Sequence, residues 1–188
     1  MAKKKRTALW VTVGILGFIV VLLLGSLIFV EVSIKNLDTS LDEKQGQVVA
    51  AFEARSKVID NLTKALKSKM SLDPGVFTEL EKAEKQLKSA TDVKALSDAN
   101  LRVDMAIDKL FYVMRDKYYY LDNAQLWPIE EDMDSARSRI VIESTDFNSV
   151  AKEYNYAIEN FPGDFLSGIF GHAKTESFQI VEYKDIRN

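Results

Sequence analysis

Residues 128–163, PIEEDMDSARSRIVIESTDFNSVAKEYNYAIENFPG, decide the fold. Ile129, Met133, Ala136, Ile140, Phe147, Val150, Tyr154, Ile158 and Phe161 recur at spacings of 3, 4 or 7. Apolar residues at those spacings share one stripe of a 3.6-residue helix. Phe161-Pro162-Gly163 stops it, because a proline disfavours helix at the residue before it and a glycine follows. Trp127-Pro128 predicts a fresh start at Pro128, where the missing N–H is tolerated. A helix with one apolar stripe needs partners to cover it.

The partners lie upstream. Leu37, Leu41, Val48, Phe52, Ile59, Leu62 and Leu66 form an a/d seam with no proline before residue 74. Gln45 and Arg55 fall on the same seam and read as register-setting or snorkelling positions. Ser71-Leu72-Asp73-Pro74-Gly75 is a turn signal. Val76, Leu80, Ala83, Leu87 and Ala90 keep a strict 4-3-4-3 spacing. The register slips at residues 89–92, where Thr91 or Asp92 could cap a new helix. Leu96, Asn100, Val103, Ile107, Leu110 and Met114 carry the pattern on. Residues 163–188 read as a short helix followed by an extended piece. No period-2 pattern of useful length occurs before this tail, and only three prolines and eight glycines interrupt 188 residues.

Residues 8–30 are an uncharged run of 23, directly preceded by Lys3, Lys4, Lys5 and Arg6. As a helix the run would be ~35 Å long, enough to cross a hydrocarbon core of ~30 Å. A cleaved signal peptide would have a shorter core ending at small residues. Here the run stays bulky and is followed by Glu31, Val32, Ser33, Ile34 and Lys35, so retention of the anchor is expected. Four basic residues precede the run and only Lys35 closely follows it, which predicts a cytoplasmic N-terminus and an extracytoplasmic bundle. Trp10 suits an interfacial position. The expected location is the inner membrane of a bacterial cell, crossed once.

The expected architecture is all-α. A basic N-terminus (residues 1–7) and a single transmembrane helix (8–30) precede an antiparallel bundle of three or four long helices (31–162) and a tail (163–188). Removing the four basic residues leaves 21 Lys+Arg against 28 Asp+Glu in residues 31–188, a net charge of −7. That excludes attraction to nucleic acid through bulk charge. With no cysteine there is no disulfide, thiol nucleophile or cysteine-ligated metal.

Residues 147–162 resemble the LemA family. They carry an aromatic-Asn pair, Phe147-Asn148, and a second pair seven residues on, Tyr154-Asn155. An Ile-x-x-Phe-Pro ending at Ile158, Phe161 and Pro162 completes the motif. Gly168 to Phe178 is similar to the family's following Gly-Phe segment with a terminal aromatic. Asp60-Asn61-Leu62, and the block around Tyr118, Tyr119, Tyr120 and Leu121, are looser likenesses. The chain departs from the family pattern by keeping only Arg55 of an Arg doublet and Asp60 for a proline. On a gapless alignment, Arg137 stands for a Glu and Ser144 for an Arg. The resemblance implies a membrane-anchored helical domain and supplies no agreed enzymatic activity.

Candidate sites follow from these motifs. Phe147 and Tyr154 are expected in the core, with Asn148 and Asn155 hydrogen-bonding neighbouring helices or forming a partner surface with Phe161 and Pro162. Tyr118, Tyr119, Tyr120 and Trp127 form an aromatic cluster suited to core packing or to an interaction surface. His172 has no catalytic motif around it. Glu130, Glu131, Asp132 and Asp134 suit a helix N-terminus and match no calcium loop. Asp104, Asp108, Glu79, Glu81 and Glu84 read as solvated faces. No cofactor or metal is expected. The reading is a non-enzymatic, membrane-anchored interaction or scaffold protein of the cell envelope, with a protein partner or self-association. The alternative is a ligand-binding sensor module that acts through a partner membrane protein.

Overall fold

The computed structural model describes residues 2–69, 74–117 and 123–180. Helix α1 runs Ala2–Lys69, followed by a 3-10 turn Pro74–Phe77. Then come α2 (Thr78–Ser89), α3 (Val93–Lys117), α4 (Asn123–Glu159) and α5 (Gly163–Phe170). No strand occurs among the described residues. One long apolar N-terminal helix followed by a helical bundle is what the periodicity predicts.

The 68 residues of α1 contain no proline, so nothing removes a backbone donor along ~100 Å of helix. Its apolar part is long enough to cross a membrane; the 18-residue window has mean hydropathy 2.9 and none of it is buried. Trp10 is exposed at its start. Beyond Val30 the same helix changes character. Ile34, Leu41, Val48, Phe52, Ile59, Leu62 and Leu66 are buried while the residues between them are mostly not. The run into a soluble helix occurs without a break.

The chain divides into two compact units, Met1–Ser40 with Lys152–Thr175 and Leu41–Ala151 with Glu176–Asn188. In the first, Ile34, Tyr154, Ile158 and Leu166 are buried. Gly163 is fixed here by space, since a Cβ would lie 1.8 Å from the Ala157 carbonyl oxygen. Gly171 closes α5 with φ 79°, donating its N–H to the Ser167 carbonyl.

In the second unit, Val48, Phe52, Ile59, Leu66, Leu80, Val103, Leu110, Met114 and Phe147 form the core. Lys44 Nζ reaches Asp146 Oδ2 at 2.9 Å, and Arg55 and Arg137 both approach Asp104. Numbers thus rise along α1 as they fall along α4, so the two run antiparallel here. The predicted break lies between Ser89 and Val93, and Asp92 is its cap: Ala95 N–H donates to Asp92 Oδ1 at 2.7 Å.

Two boundaries differ from expectation. Helix α4 begins at Asn123 and holds Pro128 inside it. As the sixth residue, Pro128 removes one backbone hydrogen bond near the helix end, which a 37-residue helix tolerates. Phe161, expected to close the seam, is 84% exposed. The helix has already ended at Glu159, so helical spacing no longer sets its direction.

Candidate functional site

The aromatic-Asn pairs of α4 act on the tail. Phe147 is buried, and its ring meets Phe178 edge-on at 5.0 Å, while Phe178 also lies 6.2 Å from Phe52. Beside that contact, Asn148 Nδ2 donates to the Phe178 carbonyl at 2.8 Å and its Oδ1 accepts the Phe178 N–H at 2.7 Å. One amide side chain therefore satisfies both backbone groups of one residue, as a neighbouring strand would. Gln179 N–H adds a bond to Ser97 Oγ at 3.0 Å.

The second pair repeats the device. Tyr154 is buried, and Asn155 Nδ2 donates to the Thr175 carbonyl at 2.9 Å while its Oδ1 accepts the Thr175 N–H at 3.0 Å. Burial, and then the Asp38 carboxylate, raise the Tyr154 phenol above its ordinary value. The amides were expected to bond neighbouring helices or to form a partner surface; within the structure they bond backbone groups of the tail.

The sequence model of the LemA family matches residues 44–188. The chain belongs to the LemA family. The match covers most of the chain and begins at Lys44, after the apolar run. No curated protein matches the chain significantly. In this LemA-family chain the aromatic-Asn pairs of that motif fasten the tail at Phe178 and Thr175.

A polar cluster in the second unit corrects two readings. Arg55 neither snorkels nor merely sets register; it is 2% exposed. Its Nη1 donates to Asn100 Oδ1 and its Nη2 to Asp104 Oδ1, each at 2.5 Å. Asp104, expected on a solvated face, is buried at 4%. Arg137 Nε stands 3.8 Å from the same Asp104 oxygen, so a second arginine joins the cluster. Arg55 Nε has no hydrogen-bond partner among the described residues. A signal for this cluster was present in the sequence. Arg55 and Asn100 both sit on apolar seams, and a charge on a seam requires an opposite charge within reach.

This cluster borders a cavity of about 510 Å³ lined by Arg55, Asp104, Asp108, Tyr112, Met133 and Arg137, among others. Glu84 is also buried and pairs with Lys88 at 2.7 Å, whereas Glu79 and Glu81 are exposed as expected. That hydrogen bond to Glu84 raises the Lys88 ammonium above its ordinary value.

The remaining candidates are dispersed. Tyr118, Tyr119 and Tyr120 lie outside the described residues, as does the side chain of Trp127. Pro162 is half-buried at the α4–α5 junction. His172 Nε2 is 3.2 Å from Glu31 Oε2, a contact that periodicity could not show. Glu130 pairs with Arg115, and Glu131, Asp132 and Asp134 are exposed. Among the described residues no group of three or more His, Asp or Glu is placed to hold a metal ion.

Proposed function

We propose that this LemA-family chain is a non-enzymatic scaffold anchored in the bacterial inner membrane through residues 8–30, with its bundle on the outer side of that membrane. The observation that carries the reading is α1. One uninterrupted helix has an unburied apolar window of mean hydropathy 2.9 and continues as a buried seam from Ile34 onward. Such a helix ties a folded domain to a bilayer, where it collects partners or copies of itself. The basic residues before the run support the orientation.

The chain has no native cysteine, so a single introduced thiol reports sidedness. Thr91 is exposed and adjoins the cap residue Asp92, so Thr91→Cys leaves the cap intact. Labelling by a membrane-impermeant maleimide in intact cells is the expected result. Labelling only after lysis would overturn the orientation. Extraction of the chain by carbonate washing would overturn the anchor.

A second reading has its own support. The cavity beside Arg55 has the size of a small-molecule site and contains both cationic and anionic side chains. In this reading the bundle senses a polar ligand and signals through a partner membrane protein. Thermal-shift screening tests it, because a ligand stabilises by RT ln(1 + [L]/Kd). No shift with any zwitterionic or anionic metabolite would remove it.

A further inference from the structure

We infer that α5 is an interfacial helix, lying in the headgroup layer beside the point where α1 leaves the membrane. The inference rests on the reading of residues 8–30 as a membrane span.

The first observation is the exposure of α5. Its inner side is held by buried Leu166, by Gly163, and by Ser167 Oγ, which donates to the Gly163 carbonyl at 2.7 Å. On the outer side Phe165, Ile169 and Phe170 are 57%, 59% and 55% exposed, and Phe161 just before the helix is more exposed still. Phe165 and Ile169 are spaced by four within α5 and so share one face of it. A helix on a water-facing surface would place polar residues there.

The second observation is position. The Phe170 ring receives Lys35 Nζ at 5.7 Å from its centroid, and His172 Nε2 contacts both Glu31 carboxylate oxygens at 3.2 and 3.4 Å. Glu31 is the first residue after the apolar run. At a rise of 1.5 Å per residue, Glu31 and Lys35 lie roughly 2 and 8 Å beyond its end. Each interfacial layer of a bilayer is about 5–8 Å thick. The C-terminal end of α5 is therefore tied to headgroup depth by two contacts, and Phe165 is little more than one turn away. The bilayer is the occupant favoured for this face because the face is continuous with the span, and a short helix at that depth meets lipid directly.

The test uses the full-length chain in phosphatidylcholine–phosphatidylglycerol vesicles, carrying one environment-sensitive fluorophore on one introduced cysteine. Gly168→Cys places the label on α5, where a Cβ meets nothing within 4 Å. Val21→Cys reports the span. Lys152→Cys is the exposed control, near Tyr154 and so near the level of Asp38, roughly 12 Å past the run. Spin-labelled lipids are the quenchers. The expected result is several-fold stronger quenching at 168 than at 152 by shallow spin labels, with 21 quenched best by deep ones. Quenching at 168 as weak as at 152, with 21 still deep, would overturn the interfacial helix and leave the anchor standing. Weak quenching at 21 as well would remove the anchor and this inference together. A blue-shifted label at 168 that lipid cannot quench would mean that protein, such as a second copy, covers the face, and would also overturn it.

Discussion

Arg55 and Asn148 are both polar side chains on helices whose neighbours are apolar, yet they are satisfied in opposite ways. Arg55 is a buried charge facing another buried charge, Asp104, with Asn100 as auxiliary acceptor and one nitrogen without a partner among the described residues. Asn148 is a neutral amide that matches donor to acceptor on a single backbone residue. The ion pair has two charges to desolvate, and its attraction repays that only while both partners are present. The amide has little to desolvate and substitutes for a missing strand. The difference teaches that the first is fragile to single changes, and that the second chiefly decides where the tail lies.

Breaking the ion pair is the largest test. Arg55→Ala should cost about 3–5 kcal/mol, because Asp104 is left buried without its close cation, with the Arg137 contact at 3.8 Å and a long hydrogen bond from Asn100 Nδ2 at 3.5 Å. Urea denaturation checks this. Combining Arg55→Met with Asp104→Leu should cost less than Arg55→Ala; a double variant that loses more would show the pair to be net stabilising. Next in size, Asn148→Ala should cost about 1–3 kcal/mol, the range for leaving buried polar groups without partners. Hydrogen exchange sharpens the comparison: Asn148→Ala should deprotect the Phe178 amide, and Asn155→Ala the Thr175 amide. Exchange unchanged at both positions would end the clamp interpretation.

A smaller effect concerns Tyr154. Its folded pKa is raised above 10.0, so its contribution to stability is complete below that value and is lost as pH rises through the folded one. Tyr154→Phe should therefore flatten the fall in stability above pH 10, read from Tm against pH. The smallest effect is expected at Lys44. The Asp146 carboxylate raises its pKa through a hydrogen bond, but the pair sits in solvent, and Lys44→Gln should leave Tm unchanged.

The helices were legible because apolar spacing reports a buried stripe directly. The seam from Leu41 to Leu66 follows from it, while Asp92 as a cap and Pro162-Gly163 as a turn placed the break and the end of α4, the latter two residues late. The aromatic-Asn motif was legible as important, and its partners were not. Thr175 and Phe178 lie in a segment without periodicity, and hydrogen bonds to backbone leave no trace in residue type. Arg55 was read as bland because charges on helices are usually solvated. Its partner, Asp104, lies 49 residues away, beyond any local pattern. Pro128 misled because proline marks helix starts, while an early interior position in a long helix costs only one bond.

Phe178 gives the chain an order of assembly. The ring that meets Phe52 and Phe147 leaves the ribosome roughly 150 residues after the apolar run. At about 5–20 residues per second, those residues take on the order of ten to thirty seconds to synthesise. Throughout that interval Phe52 and Phe147 are without the ring that packs against them. The apolar run thus leaves the ribosome well before Phe178 can pack against Phe52 and Phe147.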